Sequence, residues 1–209
     1  MEYNKKFGLL KGLSEIYICE VNDTADAYTP VGDPEQLIPA GELKVTKSTE
    51  KTQFYYDNNM YDEIGREAPS EMELIGAAVR PAFLAWIEGK TVDSTTGAIF
   101  DDGDWHKKFY AISGKKDYND GTSEYFWFHK CSFSGAEEST KTKDDTTDAS
   151  GATLPFVAYN TIFKFAATGT HQKVTRIDTA ETSIKAEKSW TSQIVTPDNI
   201  GTVCEKVTQ

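Results

Sequence analysis

Apolar side chains in this chain recur mostly at every second position, the period of strands with two different faces, and only one stretch shows helical spacing. In 16–21, Ile16 and Ile18 fall on one face and Tyr17, Cys19 and Val21 on the other, so both faces are predicted to be partly covered. Residues 71–79 set Met72 and Leu74 against Glu71 and Glu73, as expected of a strand with one wet face. In 124–133, Phe126 and Phe128 oppose Tyr125 and Trp127, and a strand apolar on both faces belongs in the middle of a sheet. Further strands are predicted at 43–49, 105–114, 154–165 and 173–177. The one convincing helix begins at Pro81, clusters Phe83, Leu84, Trp86 and Ile87 at helical spacing, and ends where Gly89 supplies a C-terminal cap.

Turn chemistry divides these elements. Residues 8–13 read as a glycine-punctuated lead-in, and 22–34 as a loop, because Pro30 and Pro34 each remove a backbone donor and bar a central strand. Residues 52–61 form an extended hairpin, broken by Asp57-Asn58-Asn59, residue types that tolerate a tight reversal. A second turn falls at 117–121. The polar, acidic segment 135–153 reads as a loop, 179–195 holds helix formers and ends in Trp190, Ile194 and Val195, and 196–209 reads as a loosely held arm. A β-rich chain of 209 residues is long enough for one sizeable core, so the division is a single domain, 1–195, and a C-terminal arm, 196–209.

Charge narrows the function classes. The formal net charge is −11, from 33 acidic and 22 basic residues, and proteins that grip phosphate show the opposite sign. Such a surface repels polyanions, so a nucleic acid can pass nearby without sticking. Cys19, Cys131 and Cys204 are too few and too widely spaced for a disulfide framework or a zinc site, which favours a reducing compartment. The first residues are polar and no apolar run approaches the ~20 needed to cross a bilayer, so no membrane association is expected.

Candidate chemistry does not accumulate. Asp101, Asp102 and Asp104 offer oxygens for a hard cation, but Asp and Gly are also the expected residues of a turn. The run from Asp117 to Gly121 fails as a calcium loop, since glycine falls one position early and Phe128 stands where the bidentate glutamate belongs. His106, His129 and His171 form no zinc-protease pair, and neither a nucleophile elbow nor a phosphate-cradling glycine loop is present. Glu71 with Glu73, and Glu137 with Glu138, are carboxylate pairs of the kind an acidic chain produces by chance. No catalytic residue, metal ligand or cofactor is therefore expected. One feature exceeds what a solvated turn requires: the hairpin carries Phe54, Tyr55, Tyr56, Met60 and Tyr61 around Asp57, and such aromatics either pack on their own sheet or meet a partner.

The order of these motifs resembles the major tail protein family of long-tailed, non-contractile bacteriophages. Gly12-Leu13-Ser14-Glu15-Ile16-Tyr17-Ile18 is similar to the family's opening strand, and 50–65, with Phe54-Tyr55-Tyr56-Asp57, to its hairpin between early strands. Glu71-Met72-Glu73-Leu74, then Ile87-Glu88-Gly89-Lys90 and Thr96-Gly97-Ala98-Ile99, resemble its strand, short helix and glycine-containing return. Most specific is Tyr110-Ala111-Ile112 through Glu124-Tyr125-Phe126-Trp127-Phe128-His129-Lys130-Cys131, followed by Glu137-Glu138 and Lys141-Thr142-Lys143. The resemblance covers 8–195, and the polar insert at 144–153 and the arm beyond 196 depart from it.

The resemblance implies a mainly β fold of two packed antiparallel sheets, a β-sandwich or barrel-like tail tube, with a flanking helix and a long inter-strand hairpin. It also implies hexameric rings that stack into a tube in the virion tail, assembled in the bacterial cytoplasm. The implied partners are further copies of the chain, the tape measure and tail terminator proteins, and genomic DNA that passes without tight binding. Phe54, Tyr55, Tyr56, Asp57, Met60 and Tyr61 are then the ring-stacking hairpin. The competing reading is a receptor- or carbohydrate-binding β-sandwich in which Trp105, Tyr118 and Trp127 stack on sugar rings, although alternation assigns Trp127 to the core.

Overall fold

The computed structural model describes residues 8–57, 59–104, 106–135, 137–138, 151–180, 184–185, 190–203 and 205–206. The strands, in chain order, are β1 (Leu10–Asp23), β2 (Tyr28–Gln36), β3 (Ala40–Thr46), β4 (Thr49–Tyr56), β5 (Asn59–Glu67), β6 (Ser70–Ala77), β7 (Thr91–Val92), β8 (Ile99–Phe100), β9 (Tyr110–Tyr118), β10 (Ser123–Phe133), β11 (Glu137–Glu138), β12 (Gly151–Ala158), β13 (Val174–Asp178), β14 (Ile184–Lys185) and β15 (Glu205–Lys206). The helices are α1 (Pro81–Glu88) and α2 (Ile200–Val203). The expected mainly β architecture holds, organised among the described residues as one large antiparallel sheet and three two-stranded ones.

The large sheet runs β2-β1-β9-β10-β12-β6-β3, with β11 added to β12 and β13 to β10. Strand β10 is the hinge of this arrangement. Its first half, Glu124 to Phe128, pairs with β13, and its end, Cys131 to Phe133, pairs with β12, so the sheet forks at His129 and Lys130. The predicted two-faced alternation of β10 feeds two cores. Phe126 and Phe128 join Ile16, Ile18, Met72, Leu74, Ile112 and Phe156 in one. Tyr125 and Trp127 join Cys19, Val21, Trp190, Ile194, Val195 and Val203 in the other.

Several elements differ from the sequence expectation. The lead-in at 8–13 is largely strand, because a bulge between Ser14 and Tyr17, with Glu15 at φ 54°, lets β1 continue past it. The stretch 22–34, predicted as loop, holds most of β2: the prolines do bar a central strand, but among the described residues β2 is the outermost one, and Pro30 sits opposite Val21 with no described strand on its other side to need a donor. The strand predicted at 105–114 begins at Tyr110, and the one predicted at 154–165 ends at Ala158. Beyond Ala158 the chain leaves the sheet because Asp23 captures it, accepting hydrogen bonds from the amides of Ile162 at 2.7 Å and Phe163 at 3.0 Å. Asp23 also pairs with Lys130 Nζ at 2.7 Å, and both side chains are buried.

The helix is as predicted. Gly89 caps α1 at φ 75°, where a Cβ would collide with the His106 carbonyl, and the Tyr110 hydroxyl donates to the Trp86 and Ile87 carbonyls at its end. The helix-forming composition of 179–195 does not give a helix in its described part: Ile184–Lys185 is a strand, and Trp190, Ile194 and Val195 pack as irregular chain against the second core. Within 196–209, Val203 is buried and β15 pairs with β14. The greater part of the polar insert, 139–150, lies outside the described residues, as do Asn58, Trp105, Lys141, Lys143 and Cys204.

Candidate functional site

Among the described residues the hairpin of β4 and β5 is a sheet of its own, paired with no other strand. Asp57 enters its reversal at φ 49°, a left-handed conformation that aspartate tolerates better than most residues. The root is fixed to the body: Ala68 N–H donates to the Ser48 carbonyl, and Lys173 Nζ donates to Glu67 Oε1 at 3.0 Å, the Ala68 carbonyl at 2.7 Å and Ser70 Oγ at 3.3 Å.

Register and contacts sort the hairpin into two unlike faces. On one, Lys51 Nζ and Gln53 Nε2 bond the Glu63 carboxylate at 2.6 and 2.9 Å, and the Tyr55 hydroxyl donates to Gln53 Oε1. The hydrogen bond from Gln53, then that from Lys51, holds the Glu63 carboxyl below the usual range. Met60 stands opposite Tyr55 on this polar face. The other face begins with the Arg66–Glu50 ion pair at its root, then carries Ile64 opposite Thr52, Phe54 opposite Asp62, and Tyr56 against Tyr61 with rings 5.3 Å apart and edge to face.

A bulge between Phe54 and Tyr55 turns Tyr61 onto that second face. Tyr61 is 78% exposed, Tyr56 63%, Ile64 61% and Phe54 39%, so the aromatics do not pack on the subunit's own core. Of the predicted residues, the fold brings Phe54, Tyr56 and Tyr61 together and puts Tyr55 and Met60 on the opposite face. Ile64 was missed, although its place two residues beyond the Tyr61-Asp62 step matches the alternation of 52, 54 and 56.

The other sequence candidates resolve into turns and packing. Asp101 pairs with Lys90 at 2.7 Å and Asp102 with His106 at 2.8 Å, while their carboxylates also accept the Gly103 and Asp104 amides. The Asp102 carboxylate raises the His106 pKa. Asp117 lies in β9, hydrogen-bonded to Ser14 and Ser123, and Asp120 closes the turn onto Thr122. Glu73 meets Lys44 on the exposed face of β6, and the side chains of Glu137 and Glu138 lie outside the description. Among the described residues no group of three or more His, Cys, Asp and Glu side chains is placed to hold a metal.

For the sugar-stacking alternative, Trp127 has no exposed surface and its Nε1–H donates to the Trp190 carbonyl at 2.9 Å. Tyr118 is half-buried with its hydroxyl on Glu124, and Trp105 lies outside the described residues. His129 is buried, with Nε2 on Thr175 Oγ1 at 2.8 Å, and burial pushes its pKa down to about 3.

No protein-family model and no curated protein matches the sequence. Among solved structures, the chain is similar to one described as the sheath-tube complex of an extracellular contractile injection system, PVC, in the extended state, at TM-score 0.41 and 10% identity over 78% of this chain and 87% of that one. It is also similar to the tube-terminating cap of the anti-feeding prophage, at 0.44 and 8% over 85% and 95%. The six-fold symmetrised baseplate of the same prophage follows, at 0.41 and 6% over 85% and 97%.

Proposed function

We propose that this chain is a structural subunit of a long-tailed, non-contractile phage tail, closing into hexameric rings that stack into the tail tube. The observation that carries the reading is the exposed face of Phe54, Tyr56, Tyr61 and Ile64 on a hairpin that pairs with no other described strand. An isolated two-stranded hairpin is marginal in water, and an aromatic face of this kind gains its stability from a surface laid against it. In a tube that surface is the next ring, and every subunit repeats the same contact. The sequence resemblance to major tail proteins supplies the class, and the acidic charge suits a wall past which DNA slides.

In this reading the tape measure and tail terminator proteins are its further partners, and the virion tail is its location. Electron microscopy of the concentrated, purified protein tests it. Rings or tubes are expected, and particles that stay single at every concentration overturn the reading.

A further inference from the structure

A pocket of about 610 Å³ opens at the root of the hairpin, between the end of β5 and the segment leading into β13. Lys47, Arg66 and Lys173 line it together with the imidazole of His171, and Glu67 is the one acidic lining residue among those described. This inverts the balance of a chain with 33 acidic and 22 basic residues. The cations are also differently committed. Lys173 is held by the Glu67 carboxylate, the Ala68 carbonyl and Ser70 Oγ, so it is fixed in place and paired with the pocket's acid. Arg66 gives Glu50 only its Nε–H, one of five donors on a guanidinium, and its side chain is 79% exposed. His171 is exposed as well.

We infer that this pocket receives a carboxylate-bearing segment of a second copy of the chain. The inference rests on the self-assembly reading above and names the polar half of that contact. Arg66 lies on the same hairpin face as Phe54, Tyr56 and Ile64, at its root end, so a surface laid along the full length of that face meets the pocket mouth as well. Exposed aromatic and aliphatic side chains on that face favour a protein surface, and copies that each carry a net charge of −11 repel one another unless an acidic edge meets a basic one. A polynucleotide satisfies neither condition, since it would bring phosphate against the same excess of carboxylates.

Carbodiimide coupling, which joins an amine to a carboxylate in direct contact, tests this on an equal mixture of isotope-labelled and unlabelled protein. Mass spectrometry is expected to find Lys47 joined to Asp or Glu peptides of the other isotope. Arg66→Glu with His171→Glu, two exposed positions that leave Lys47 in place, is expected to lower that yield at least about tenfold. Lys47 adducts confined to one copy, or an unchanged yield in the double variant, overturn the inference. Cross-copy adducts without rings or tubes keep the pocket as a pairwise contact and overturn the tube reading instead. Duplex DNA retained by the wild type and released by the double variant would assign the pocket to phosphate and overturn the assignment to a second copy.

Discussion

Trp127 and His129 stand two residues apart on β10 and show how much a single buried group decides. The indole of Trp127 has no exposed surface and packs in the core that holds Trp190 and Val195. Removing it in Trp127→Ala is expected to cost about 3–5 kcal/mol, a large share of the ~5–15 kcal/mol that holds a domain together. Urea titration should show the midpoint falling with an unchanged slope, and a midpoint equal to the wild type contradicts a core role. His129 makes stability depend on pH in a definite direction. Folded, its pKa is about 3 because burial disfavours the charge and the nearby Asp23 carboxylate only partly offsets this. Unfolded, a histidine titrates near ~6.5, so between these values the unfolded chain binds a proton that the folded chain refuses. The folded state therefore weakens as pH falls through about 6.5, by at most ~1.4 kcal/mol per pH unit from this group. His106, whose pKa is raised by Asp102, acts in the opposite sense and gains stability as pH falls. Comparing the wild type with His129→Gln between pH 7.5 and 5 isolates the buried ring: the variant's denaturation midpoint should fall less, and parallel curves contradict a neutral buried imidazole.

Elements were legible where local pattern and tertiary setting agree. The alternation of β6 and β10, and the Pro81-to-Gly89 frame of α1, appear in the fold because the same residues that favour each element also bury its apolar face. Strand β2 was not legible, since Pro30 and Pro34 exclude a central strand but not an outermost one, and position in a sheet is not written locally. The Asp23–Lys130 pair was hidden for a related reason: its partners stand 107 residues apart, and only the fork at β10 brings them together. For the hairpin, composition marked the aromatics, while the bulge that gathers Phe54, Tyr56, Tyr61 and Ile64 on one face depends on register. That gathering sharpens the mutational expectation. Tyr56→Asp with Tyr61→Asp should leave the circular dichroism spectrum unchanged, because neither ring is buried, yet abolish long tubes, since truncating an aromatic anchor costs about 2 kcal/mol or more. Tyr55→Asp, on the polar face, should shorten tubes less. Tubes of normal length from the double variant would remove the stacking role, and outright unfolding would return the rings to the subunit's own core.

For the whole molecule, net charge and local charge make opposite claims, and one measurement separates them. The chain totals −11, while the pocket at the hairpin root gathers Lys47, Arg66 and Lys173, beside His171, around a single glutamate among the described residues. Attraction between a protein and a duplex is dominated by phosphate neutralisation and grows with the number of phosphates that cations can reach at once. Lys173 is already paired with Glu67 and Arg66 gives one donor to Glu50, so a single small cluster meets only a few phosphates before the surrounding carboxylates are brought up against the strand. Screening at ~0.15 M salt leaves charges within about 8 Å interacting and suppresses the more distant ones, so the outcome turns on the carboxylates beside the pocket and on the few phosphates that one small basic cluster can meet at once. Gel-shift titration with duplex DNA at micromolar protein and that ionic strength is therefore expected to show no retained complex, although even non-specific binders reach a Kd of ~10⁻⁴ to 10⁻⁶ M there. A complex that survives these conditions and weakens steeply with added salt would mean that phosphate reaches more of the cations than the pocket geometry allows, and a tube wall with that property would hold its genome rather than pass it.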